Sequence, residues 1–101
     1  MPHKKPTDPV HPGEILLEDF MKPAGVSINA LAIELRVPPS RIHAIVRETR
    51  NITADTALRL GRFFSTSSEF WMNLQRDFEL RVAANQSRKE IEQLVRPLNA
   101  A

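Results

Sequence analysis

The chain has 101 residues, enough for one small domain with a single modest core. A hydrophobic fraction of 42% argues against wholesale disorder, and the lack of cysteine excludes disulfides, thiolate chemistry and cysteine-ligated zinc. The net charge of +2 is unevenly spread: residues 36–62 carry six arginines (36, 41, 47, 50, 59 and 62) against Glu48 and Asp55, which leaves +4 there and −2 elsewhere.

Residues 1–10, with three prolines, Lys4 and Lys5, read as a flexible arm. A first helix starts at Pro12, a residue suited to the first helical position, with Glu14 in the first turn. Ile15, Leu16 and Phe20 give it an apolar stripe through Met21, and Lys22-Pro23-Ala24-Gly25 ends it. Ser27 can cap a second helix, about 27–35, whose apolar positions Ile28, Leu31, Ala32 and Leu35 keep helical spacing. Arg36-Val37-Pro38-Pro39 forces a turn, because proline lacks an N–H and pushes its predecessor out of the α region. A third helix, about 39–47, turns Ile42, Ile45 and Val46 inward and leaves Ser40, Arg41, His43, Ala44 and Arg47 outward.

Thr53 caps a fourth helix with Ala57, Leu58, Leu60 and Phe64 on its apolar side. After Ser65-Thr66-Ser67 comes the longest helix, about 68–84. Ser87-Arg88-Lys89-Glu90 matches a capping box and predicts a short final helix before Pro97. No strand pattern appears. The expected fold is all-α, a compact bundle of five or six short helices. Its divisions are an arm (1–10), a helical domain (11–85) and a C-terminal extension (86–101).

Helices two and three have the layout of a helix-turn-helix, whose second helix enters the DNA major groove. The first turn of that helix meets base edges while flanking donors fix the backbone. Candidate DNA-binding residues are therefore Ser27, Pro39, Ser40, Arg41, His43, Ala44, Arg47 and Arg50. Pro39 and Ala44 suit a thymine methyl, Ser40 several base edges, and Arg41 a guanine or a phosphate. Arg47 and Arg50 are better placed for phosphates, and Ser27 can present a helix N-terminus to one.

An enzyme reads poorly here. His3, His11 and His43 are scattered, and His11 with Glu14 lacks a third metal ligand. The three glycines do not cluster into a phosphate-cradling loop, so neither metal nor cofactor is expected. No apolar run approaches the ~20 residues of a membrane helix. The N-terminus lacks an apolar signal core, so the expected location is cytoplasmic, on the nucleoid when DNA is bound. A single helix-turn-helix makes few base contacts, so a homodimer on two half-sites is expected. Phe70, Leu74 and Phe78 form an i, i+4, i+8 stripe that, with Trp71, is a candidate dimer face; the alternative is that Trp71 and Met72 complete the monomer core.

Three separated motifs, HPGEIL (11–16), LRVPPSRI (35–42) and ITADTALRLGRFFSTSSEFWMNLQ (52–75), together resemble the HigA-type antitoxins of bacterial toxin–antitoxin modules. These lie within the broad Xre/Cro/cI-like helix-turn-helix class, and the likeness covers about residues 11–84. It implies a lambda-repressor-like fold of five helices and a dimeric repressor that binds double-stranded operator DNA of its own operon. It also implies a partner, a HigB-type mRNA endonuclease toxin that the antitoxin neutralises; the alternative is a stand-alone Xre-family regulator. Carried over, the recognition positions are Pro39, Ser40, Arg41, Ala44 and Arg47. Relatives usually have glycine where this chain has Arg36, and an Asn-Gly helix end where it has Arg47-Glu48-Thr49, which predicts a strained or slightly different turn.

Overall fold

Residues 8–99 are described by the structure, a computed structural model. Helix α1 runs in three consecutive segments: Pro12–Ile15, a wider π-helical stretch Leu16–Met21, and Lys22–Ala24. It is followed by α2 (Ile28–Leu35), α3 (Pro39–Val46), α4 (Ala54–Phe64) and α5 (Ser68–Leu94), with no strand among the described residues. Most of the proposed arm, residues 1–7 with Lys4 and Lys5, lies outside the described residues.

The helix starts follow local chemistry. Ser27, Thr53 and Ser67 each accept from a backbone amide three residues on, as capping hydroxyls do. The ends of α1 to α4 share one closure: the amide after a left-handed residue returns to a carbonyl five residues back. The left-handed residues are Gly25 (φ 66°), Arg36 (φ 60°), Glu48 (φ 66°) and Ser65 (φ 59°). Only the first is a glycine. The strain predicted at Arg36 and at the end of α3 is therefore present in the backbone.

Two helix boundaries differ from expectation. Helix α1 continues past Pro23 to Ala24 instead of ending before it. In a regular α-helix a proline ring collides with the carbonyl four residues back. The preceding π stretch, in which the Lys22 amide reaches the Leu17 carbonyl, widens the helix and accommodates the ring. At the other end, the two predicted helices 68–84 and 87–95 are one, Ser68–Leu94. Ser87 caps nothing: the stretch 83–94 contains no glycine or proline, and Ala, Gln, Arg, Lys, Glu and Leu carry the helix on. Pro97 disfavours α geometry at Arg96, and Val95 is already extended.

The core gathers Leu16, Leu31, Ile42, Ile45, Leu60 and Trp71, all without exposed surface. Each such side chain contributes roughly 1.5–3 kcal/mol by leaving water. Trp71 lies at the centre, its indole N–H donating to Thr66 Oγ1 (2.8 Å) and its ring 4.8 Å from Phe20. This corrects the dimer assignment of Trp71, whose side chain is consumed by its own fold. Phe70 and Leu74 are half-buried against the same core, and Phe78 packs edge-on against His11 at 4.8 Å.

Candidate nucleic-acid interface

Helices α2 and α3 form the helix-turn-helix, and three devices outside the motif hold it. The first is the HPG sequence at the start of α1. His11 is buried and its Nδ1 accepts from the Gly13 amide at 2.9 Å, so it caps the helix. Burial lowers its pKa below the ordinary histidine value, against an opposing pull from Glu48. Gly13 then lets α1 approach the end of α3: a Cβ there would lie 1.9 Å from the Ile45 carbonyl oxygen. His11 and Glu14 thus form no open surface, and no group of three or more His, Cys, Asp or Glu among the described residues could hold a metal ion.

The second device is Gln75. Its side chain is buried; Oε1 accepts from the Ile52 amide at 2.7 Å, and Nε2 donates to Glu79 at 2.8 Å. The loop leaving α3 is thereby pinned to α5. The third is a chain of charged groups. Asp55, in the first turn of α4, accepts at Oδ2 from Arg41 Nη1 (2.8 Å) and from Arg59 Nε (2.9 Å). Arg59 Nη1 in turn donates to the Leu35 carbonyl (2.9 Å), one of the acceptors left open at the end of α2. Hydrogen bonds from Arg59 and Arg41 hold the Asp55 carboxyl below the usual carboxylate pKa.

On this frame Ser27, Pro39, Ser40, His43, Arg47 and Arg50 are all exposed. Ser27 Oγ accepts from the Ala30 amide (3.1 Å), so the exposed hydroxyl caps α2. Among the described residues, Arg47 and Arg50 have no ion-pair partner, the condition of cations available to phosphate. Ala44 is half-buried, its carbonyl taken by Thr49 at the end of α3. Arg41 departs furthest from expectation: in place of a free outward side chain, it is only 23% exposed and tied to α4. Sequence reasoning missed Gln75, Asp55 and Arg59 as parts of the site. Each acts across a gap of 14 or more residues for which local spacing carries no signal.

No helix among the described residues is long and apolar enough to cross a membrane. No protein-family model matches the chain. Virulence-associated protein I of Dichelobacter nodosus is 55% identical over 74 residues, 73% of this chain and 68% of that protein. Antitoxin HigA-1 of Vibrio cholerae is 30% identical over 90 residues, 89% of this chain and 84% of that one. The solved structure of Pseudomonas aeruginosa antitoxin HigA with the higBA promoter has a TM-score of 0.86 at 48% identity, covering 89% of this chain and 98% of the other. With likeness across about nine-tenths of its length to antitoxins of this kind in both sequence and fold, the chain belongs to the HigA family of antitoxins.

Proposed function

We propose that the chain is a dimeric, sequence-specific repressor that binds the operator of its own operon and also neutralises a HigB-type mRNA endonuclease toxin. The observation that carries the DNA half is the exposed face of α3 with Ser40, His43, Arg47 and, just beyond, Arg50, set on a rigid frame and free of internal ion pairs among the described residues. The likeness to a HigA solved with a promoter supports it. The toxin half follows from the family. Ser40 reads a base edge, and Arg47 and Arg50 neutralise phosphates.

The dimer is built outside the motif, and the surface for it is not Trp71. Along α5, Leu80, Ala84, Ser87, Ile91 and Leu94 recur at alternating steps of four and three residues, the spacing of a seam between paired helices. Leu80, Ile91 and Leu94 are 62%, 52% and 72% exposed. A second copy of α5 covers that seam and sets the two recognition helices for half-sites about one helical turn apart.

An anisotropy titration of operator and scrambled duplexes tests the DNA reading. Ser40→Ala should weaken operator binding by about 1 kcal/mol and leave scrambled DNA unaffected. Arg47→Ala should weaken both and lower the salt slope by about one. Unchanged affinities in both variants would remove α3 as the recognition helix.

A further inference from the structure

Asp55 places a carboxylate, 56% exposed, beside the first turn of the recognition helix. A negative charge there weakens attraction to any phosphate backbone within a Debye length, so it opposes the general affinity a DNA-binding surface needs. What it does instead is hold two arginines. Arg41 Nη1 and Arg59 Nε both donate to the single oxygen Oδ2, at 2.8 and 2.9 Å. Arg59 is further fixed by its bond to the Leu35 carbonyl (2.9 Å), so the carboxylate itself sits on a rigid support spanning α2 and α4.

Arg41 shows how much this matters. Its Nε is shut off from solvent and has no hydrogen-bond partner among the described residues. A buried unpaired N–H disfavours the pose, so the ion pair with Asp55 is the interaction that retains it. A free arginine at this position is a long, mobile cation that settles on whichever phosphate is near. An arginine with one nitrogen clamped presents its remaining donors in one direction, which suits the fixed edge of a base and spares the ordering of the side chain on binding.

We infer that Asp55 is a positioning residue for DNA discrimination: it holds Arg41 in a single pose against the base edges and keeps Arg41 and Arg59 from the phosphate backbone. The inference rests on the operator reading above and adds to it the group that sets the ratio of specific to non-specific binding. Asp55 lowers affinity for DNA in general and spends that loss on selectivity.

The test uses a duplex that the wild-type chain selects from a randomised pool and a scramble of that duplex with the same composition. For Asp55→Asn, binding to the scramble should tighten about tenfold, with a salt slope steeper by one to two as the arginines reach phosphates. Binding to the selected duplex should stay equal or weaken, so the ratio falls about tenfold or more. Asp55→Glu keeps the charge but moves the carboxylate by one methylene; the ratio should fall several-fold with the salt slope unchanged. In an Arg41→Ala background, Asp55→Asn should leave the ratio where it stands. A purely electrostatic role would tighten both duplexes by one common factor in Asp55→Asn and leave Asp55→Glu like wild type, and that result overturns the inference. A ratio that responds equally with and without Arg41 also overturns it. If the wild-type chain selects no sequence, the operator reading itself fails and this inference with it; retained selection with an unaltered ratio defeats the inference alone.

Discussion

The two halves of helix α5 use apolar residues in opposite ways. In the first half Trp71 has no exposed surface, its indole N–H is satisfied, and rings from Phe20, Phe64 and Phe70 surround it. From Leu80 to its C-terminal end, Leu80, Ile91 and Leu94 stand more than half in water. A stretch of about a dozen residues is marginal as an isolated helix, but nucleation has already been met by the packed half, and only propagation remains. The first half is therefore specified by its own fold, whereas the second keeps a regular apolar seam exposed, the surface proposed above for a second copy.

Gly13→Ala attacks the first side of that contrast and should have the largest effect. The added methyl would lie 1.9 Å from the Ile45 carbonyl oxygen, which is backbone and cannot swing away. Helix α1 must shift off the end of α3, at a cost of about 3 kcal/mol or more. Urea unfolding should show this as a lower midpoint; a change below about 0.5 kcal/mol would mean that the approach of α1 to α3 is not close in solution. Operator binding should fall as well, since α3 loses a support.

The pair Leu80→Asp with Ile91→Asp attacks the second side. Sedimentation should show a monomer where a dimer is expected of the wild-type chain, and helicity by circular dichroism should drop as the outer turns of α5 fray. The monomer core should be untouched, with stability within about 0.5 kcal/mol of a wild-type monomer. A dimer that survives both charges would place the partner surface elsewhere. The effect on operator affinity is indirect: two half-sites can no longer be bound as one event.

The same division governs how much could be read in advance. Caps at Ser27, Thr53 and Ser67, the turn at Pro38-Pro39 and the inward positions Ile42 and Ile45 are legible because each depends on neighbours within about one helical turn. The false capping box at Ser87 has a local signal too, but the helix arriving from Ser68 already satisfies the amides that a cap would serve. The π stretch of α1 and the function of His11 and Gly13 escaped, since a proline's accommodation and a close approach between helices are settled by packing. The Arg41–Asp55–Arg59–Leu35 chain escaped for the same reason: its members belong to three different helices. The strain at Arg36 was legible, through the family likeness and the known preference for glycine at such ends.

Arg36→Gly should give the smallest effect and the only stabilising one. Arg36 sits at φ 60° and ψ 44°, and its own amide and that of Val37 close the end of α2 on Ile33 and Ala32. The left-handed conformation costs a residue with a Cβ about 1–2 kcal/mol, whereas glycine adopts it freely but loses more chain entropy on folding, about 0.5–1 kcal/mol. The difference favours the variant by about 0.5–1 kcal/mol, a rise in melting temperature of roughly 2–6 °C for a domain of this size. Arg36→Ala separates the backbone from the charge: it keeps the Cβ and removes the guanidinium, and should change stability by less than about 0.5 kcal/mol. An equal gain in both variants would assign the effect to relief of charge among the arginines of residues 36–62. A gain confined to glycine assigns it to the backbone of the turn, and dimerisation should not respond.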